Sequence, residues 1–331
     1  LFQSEGKLED ESVYNFFSRH FGTSFTNQFI DPLVSGIYAG DMHRLSIKAC
    51  FPQFYEAAKS HGSVLRGMLM QKKDTLTKKS PFVLKMEKEA LFSFKKGMHT
   101  LPLALYNTMK ENVLLSTELT SLQLHSDNIH LTLSDGQQLL ADHCFSTLPA
   151  EALLPLLTPS APSALKTKLS SLQRSSVALV SLGYQQSVLK YKGFGYLIPE
   201  KEKEEVLGAV WDSALFPEQQ STPDTTCITV MLGGSRMPHI LEKTDGDLAL
   251  MALNAVSKHL NINNLPHTLH VTRTVNAIPQ YAVGHDEEVK EIESMIHSLS
   301  PHLTIAGTSF YGVAINDCIL TAKKLSAKIS P

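Results

Sequence analysis

Apolar residues recur at helical spacing through the first seventy positions. Val13, Phe16, Phe17 and His20-Phe21 recur at helical spacing, which predicts a helix closed by Gly22. Glu9, Asp10 and Glu11 precede it and suit the positive end of a helix dipole. A second helix is expected through Phe25, Phe29 and Ile30 as far as Asp31-Pro32. In the following "DPLVSGIYAGD", Gly36 and Gly40 stand four apart, so something packs close to the backbone. Either another helix or a flat ligand lying on Gly36 meets that description. Phe51 to Leu69 resumes the helical pattern, interrupted by Gly62. The run "QKKDTLTKKS", with Lys72, Lys73, Lys78 and Lys79, reads as a solvated linker, contact with anionic lipid headgroups being the alternative.

From Gly97 the period changes. "GMHTLPLALYNTM" reads as a short helix. Leu119, Leu122 and Leu124 share one strand, Ile129, Leu131 and Leu133 alternate in the next, and Asp135-Gly136 turns the chain back. "ADHCFSTLP" returns as a further strand. Residues 152–168 carry several prolines and read as a linking helix and loop. "VALVSLGY", "GFGYLIP", "VLGAVWDS" and "CITVMLGG" are four short strands of an antiparallel or mixed sheet, in which Leu197 and Met231 can face one cavity or simply fill a core. "DGDLALMALNAVSKHL" is helical, 265–275 a strand, "NAIPQYAVGHDEEVKEIESMIHSL" a loop into an amphipathic helix, "HLTIAG" the last strand and 315–329 mostly helix.

Composition narrows the functions. With 43% hydrophobic and 19% charged residues and a net charge of −2, the 331-residue chain is an ordinary globular protein, long enough for two domains, with no basic bias toward nucleic acid. Cys50, Cys144, Cys227 and Cys318 are widely spaced and read as buried free thiols. The fourteen histidines form no HExxH, so no metal site is expected. The longest run without Asp, Glu, Lys or Arg, 294–316, contains Pro301 and several polar side chains and does not read as a membrane span, although a monotopic contact needs none. There is no GxGxxG, GxSxG or P-loop, and no carboxylate pair that makes an acid–base couple. The closing "AGTSFYGVAINDCILTAKKL" is a strand end, a Gly-bounded loop and a helix start, where backbone N–H groups can approach a ligand.

Eight stretches carry a family resemblance in consistent order. They are "FIDPLVSGIYAGD" (29–41), "LSIKACFP" (45–52), "HGSVLRG" (61–67), "GFGYLIP" (193–199), "VLGAVWDSALFPEQ" (206–219), "TVMLGGS" (229–235), "IPQYAVGH" (278–285) and "AGTSFYGVAINDCI" (306–319). Through them the chain resembles the protoporphyrinogen oxidase family of flavoenzymes, and "FPEQ" and "GVAINDCI" look most like its animal mitochondrial branch.

The resemblance implies a mixed α/β (α+β) FAD/NAD(P)-binding amine oxidase-like fold with FAD as cofactor. It places a helical membrane-associated domain at 1–90, FAD-binding segments at 91–150, a mixed-sheet substrate domain at 151–275 and a returning FAD segment at 276–331. Val313, Ala314 and Ile315 fall on the flavin-contacting turn and Leu119, more loosely, near the adenine end. Gly36, Leu197 and Met231 fall on positions flanking the tetrapyrrole, with Phe194, Gly195 and Ile278 in segments near it. The activity implied is oxidation of protoporphyrinogen IX to protoporphyrin IX with dioxygen, by a homodimer held at the mitochondrial inner membrane, with no residue required as a catalytic base.

The sequence departs from the family at its start. The GxGxxG segment and the arginine expected at a substrate propionate are missing, and Thr274 stands where related enzymes often carry a tryptophan. The chain is therefore expected to be a fragment of a longer product, a genuine short product being the alternative. A truncated, non-catalytic tetrapyrrole-binding protein and another flavin amine oxidase-like enzyme are the competing functions.

Overall fold

A computed structural model describes residues 10–70, 80–89, 91–157, 161–191, 193–220, 222 and 224–327. Glu9 and the lysines at 72, 73, 78 and 79 lie outside these described residues. The first helix, α1 (Val13–Phe21), buries Val13, Phe16 and Phe17. Ser12 caps it by accepting the Asn15 N–H at 3.1 Å, a bond that satisfies one of the free donors of the first turn. Asp10 and Glu11 do not serve that helix end as the sequence suggests. Asp10 accepts from the Ser46 hydroxyl and the Gly284 N–H, both at 2.7 Å, and Glu11 pairs with Arg19.

The chain then runs helically without a break through α2 (Thr23–Phe25), a π-helical turn at Thr26–Ile30 and α3 (Asp31–Tyr38). Pro32 has no N–H and its ring crowds the carbonyl four residues back. The wider π turn just before it absorbs both problems, so Asp31-Pro32 marks no helix end. Helices α4 (Ile47–Cys50), α5 (Pro52–His61) and α6 (Val64–Met70) complete the bundle, with Gly62 closing α5 in the left-handed conformation. Its core joins Phe16, Val34, Ile47 and Tyr55 to a residue from far along the chain, Tyr281. Two further helices, α7 (Pro81–Met86) and α8 (Thr100–Met109), bury none of their residues.

Strands β1 (Leu119–Leu124), β2 (Ile129–Leu133) and β3 (Gln138–Ala141) form the expected antiparallel meander. Strand β4 (Cys144–Ser146) leaves it and pairs in parallel with Leu303–Ile305. Helices α9 (Ala150–Leu157) and α10 (Ser163–Ser171) bury Leu153, Leu157, Leu165 and Leu169 in the same core as Ile129, Ile292 and Ile305.

A five-stranded antiparallel sheet follows, built from β5 (Arg174–Tyr184), β6 (Gly195–Leu197), β7 (Gly208–Val210), β8 (Thr226–Gly233) and β9 (Thr268–Pro279) in the order β6-β7-β8-β5-β9. The short α11 (Asp212–Leu215) and the long α12 (Asp245–Leu260) are its helices. Ala178, Val180, Leu182, Val230 and Leu232 face the core shared with Leu248 and Val256 of α12. Period-2 alternation therefore sends Val177, Leu179 and Met231 to the opposite, half-exposed face. Helix α13 (His285–Leu299), strand β10 (Leu303–Ile305) and α14 (Ile315–Ser326) end the fold. The four cysteines are free; Cys50 is buried, but Cys144, Cys227 and Cys318 are half-buried rather than enclosed as expected.

Candidate functional site

Register lines up one apolar row on the open face of the sheet. Leu197 of β6 opposes Gly208 of β7, Gly208 opposes Met231 of β8, and Met231 opposes Leu179 of β5. Gly208 contributes no side chain, and Leu197 leans over it: a Cβ there would stand 3.0 Å from Leu197 Cδ2. Helix α3 approaches its outer end: a Cβ on Gly36 would stand 2.7 Å from Leu197 Cδ2 and 2.8 Å from Cδ1. Gly36 thus makes room for Leu197. Ile278 opposes Ser175 near the other end of β9 and packs against the helical core. Gly195 opens β6, and Phe194, just before it, is exposed. The structure brings Gly36, Gly195, Leu197 and Met231 to one side of the sheet, sets Ile278 farther along it, and leaves Phe194 at the rim.

The C-terminal end of α3 is tied to the same sheet. Ala39, itself left-handed at φ 46°, offers its carbonyl to the Ser235 N–H at 2.8 Å and the Ser175 hydroxyl at 3.2 Å. The Gln280 amide donates to the Tyr38 carbonyl at 2.7 Å. The distance between α3 and the apolar row is therefore fixed from this end. We expect Gly36→Ala to cost only about 1 kcal/mol of stability, because the atoms it meets are the far end of a flexible side chain. It should push Leu197 along the row and weaken binding of a flat macrocycle, and Leu197→Ala in the same chain should restore it. Porphyrin fluorescence titration checks this, and equal affinity of Gly36→Ala and the native chain would refute it.

A second region lies at the carboxyl ends of the parallel strands β4 and β10, where α/β sheets receive ligands. A cleft of about 550 Å³ opens there between Phe145, Thr147, Gly307 and Thr308 on one side and Cys318 and Leu325 of α14 on the other. The hydroxyl oxygen of Ser146, buried at the tip of β4, has no partner. The turn 307–314 that follows β10 leads into the N-terminus of α14, where the Asp317 carboxylate accepts the Ala314 N–H at 3.2 Å. Val313 is half-buried against the helical core, while Ala314 and Ile315 are exposed. Leu119 sits instead beside the core of the meander, apart from Val313. The apolar cleft and, apart from it, the helix N-terminus after the 307–314 turn fit separate parts of a flavin dinucleotide.

Three side chains hold this turn. The Tyr281 hydroxyl donates to the Thr308 carbonyl at 2.6 Å, His285 Nε2 meets the Phe310 carbonyl at 3.1 Å, and Arg174 Nη1 donates to Ser309 Oγ at 3.1 Å. Arg174 also reaches the carbonyls of Asn276 and Ala277 at 2.6 and 3.0 Å, just before Ile278. Burial pushes the Tyr281 phenol up, so it stays a neutral donor. Burial also holds the His285 imidazole below its ordinary value, so the native ring is neutral and gives its Nε2 proton to Phe310. Since the unfolded ring titrates near about 6.5, the unfolded state takes up its proton first as pH falls. The His285 contribution is therefore present above that range and is lost as pH drops toward the lower native pKa. Melting the native chain and His285→Gln at pH 8 and pH 5.5 checks the sign: the native chain should lose more on acidification.

Tyr281, His285 and Arg174 are not among the residues the sequence nominates. "IPQYAVGH" contains the first two, but their burial, which makes them struts, has no mark in local pattern. Among the described residues, no group of three His, Cys, Asp or Glu side chains is placed to hold a metal ion.

The chain belongs to the flavin containing amine oxidoreductase family, whose profile matches residues 2–330. The protoporphyrinogen oxidase of Macaca fascicularis is 34% identical over 99% of this chain and 71% of its own length. The coproporphyrinogen III oxidase of Bacillus subtilis (strain 168) is 31% identical over 94% of this chain and 65% of its own. A crystal structure from Exiguobacterium sp. 255-15 superposes with a TM-score of 0.78 at 23% identity, covering 98% of this chain and 68% of that one.

Proposed function

We propose that the protein carrying this chain oxidises protoporphyrinogen IX to protoporphyrin IX in haem biosynthesis, with FAD as cofactor and dioxygen as acceptor. The observation that carries the reading is the apolar row of Leu197, Met231 and Leu179 beneath Gly36. A large, flat and mostly uncharged ring needs such a wall. Protoporphyrinogen carries two propionates and coproporphyrinogen four, so an apolar row suits the former better.

The flavin, when bound, supplies the two-electron redox chemistry. Val313, Ala314 and Ile315 would lie at its ring, with Leu119 toward the adenine end. The chain's own residues position and exclude water: none of Gly36, Gly195, Leu197, Met231 or Ile278 can take up a proton. The domain division given above, with the slot between the helical and sheet portions, is part of this reading.

A monotopic contact with the mitochondrial inner membrane and a homodimeric state belong to it too. Among the described residues no helix is long and apolar enough to cross a membrane. Phe25, Phe29, Leu33 and Ile37 repeat every four residues and are exposed, Phe29 by 60%, which supports contact with a lipid surface. Turnover of protoporphyrinogen IX and of coproporphyrinogen III, followed by porphyrin fluorescence, tests the proposal. Preference for the tetra-acid would transfer the assignment to the coproporphyrinogen enzymes. Binding without turnover by a flavin-loaded protein would reduce it to a tetrapyrrole-binding role.

A further inference from the structure

A largely buried ion pair links the three segments that carry Gly36, Leu197 and Met231. Asp31 opens α3, five residues before Gly36. Its Oδ2 accepts from Arg236 Nη2 at 2.9 Å and from the Glu200 N–H at 2.6 Å. The other terminal nitrogen of Arg236, Nη1, donates to the Ile198 carbonyl at 2.7 Å. Ile198 directly follows Leu197, and Arg236 closes the 3₁₀ turn (Gly234–Arg236) that follows β8, five residues after Met231. The Asp31 and Arg236 side chains are only 7% and 13% exposed.

We infer that the Asp31–Arg236 pair is a positioning device that sets the separation between α3 and the apolar row, and so the width of the tetrapyrrole slot. The inference rests on the proposed substrate reading and extends it to residues that do not touch the ring. A buried ion pair adds little stability over well-packed apolar side chains, because desolvation offsets most of its attraction. What it does provide is direction. A planar guanidinium with one arm on a carboxylate and the other on a carbonyl accepts only a narrow range of geometries. Leu197 packs directly against Gly36, so a small shift of α3 either presses Leu197 along the row or frees it to move off the row. The pair fixes the N-terminal end of α3, as the Ala39 carbonyl fixes the other.

The test uses the whole protein that carries this chain, with two variants. Asp31→Asn/Arg236→Met removes both charges, leaves no lone buried ion, and keeps an acceptor for the Glu200 N–H. Arg236→Lys keeps the charge but loses the fork. Two readouts are taken: quenching of protoporphyrin IX fluorescence, and hydrogen exchange of amides 33–38 and 196–198. The double variant is expected to fold with an unchanged far-UV spectrum, bind porphyrin about tenfold more weakly, as a displacement of an ångström allows, and exchange faster at those amides alone. Arg236→Lys should fall between it and the native protein. A folded double variant, or a folded lysine variant if the double one does not fold, with native affinity and native exchange overturns the inference. If native protein fails to bind porphyrin while the exchange contrast persists, the substrate reading falls and the placement of α3 by the pair stands.

Discussion

Purified by itself, the 331-residue chain is expected to fold and yet to retain no stoichiometric FAD. Part of the dinucleotide cradle is present in the cleft between Gly307 and α14. The rest is not written in these residues, which contain no GxGxxG. Parallel strands are ordinarily covered on both faces and flanked by others, but among the described residues β4 and β10 pair only with each other. Helix α14 buries none of its residues and is flanked by two clefts of about 610 and 550 Å³. Supplying a strand–GxGxxG–helix segment, fused or in trans, should bring back the visible flavin spectrum, because it would add a helix N-terminus for the pyrophosphate. Stoichiometric flavin on the unaided chain would sink this expectation and require that the phosphates be held by other means.

Gly234→Ala is expected to destabilise the protein by about 3 kcal/mol, combining a left-handed backbone with overpacking. Gly234 has φ +69°, and a Cβ there would stand 2.2 Å from the Ala39 carbonyl oxygen. That oxygen is a backbone atom already engaged by Ser235 and Ser175, so it has no room to retreat. Gly62→Ala is the control: it is left-handed at φ +65°, but nothing lies within 4 Å of the added carbon, so only the backbone strain of about 1 kcal/mol remains. Urea denaturation of both variants separates the contributions. Equal midpoints would mean that the close contact between α3 and the sheet has no energetic weight.

Much of this architecture is legible without coordinates. The strands of the meander and of the large sheet obey period 2, so the alternation that buries Val180 and Val230 also puts Leu179 and Met231 on the open face. The family resemblance supplied the cofactor and substrate class, which no local pattern contains. What stayed hidden depends on long-range partners. Pro32 reads as a helix end, because nothing in the sequence announces the π turn that accommodates it. Asp10 reads as a helix-dipole charge, but its partners lie at Ser46 and Gly284. The Asp31–Arg236 pair spans 205 positions, and each member alone resembles an ordinary surface charge. Residues 152–168 read as one linking helix and a loop, yet most of them belong to two helices, α9 and α10, whose apolar spacing fills the core around Ile292.

The place of Tyr281 in the helical core has a consequence for synthesis. The Ser46 N–H bonds to the Tyr281 carbonyl at 2.8 Å, Val283 N–H bonds to the Arg44 carbonyl at 3.1 Å, and the Tyr281 ring is almost fully enclosed. A ribosome therefore releases the whole five-stranded sheet before the first helices receive the residue that completes their interior. Chains normally fold in the order in which they emerge, but here the helical bundle waits for a residue that follows the whole sheet. Phe16, Val34 and Ile47 stay uncovered on that side until then, and closing so long a loop is slow. The nascent chain is thus a natural client for chaperones that shield apolar surface, and a ribosome stalled before the Tyr281 codon would leave a sticky, unfinished bundle.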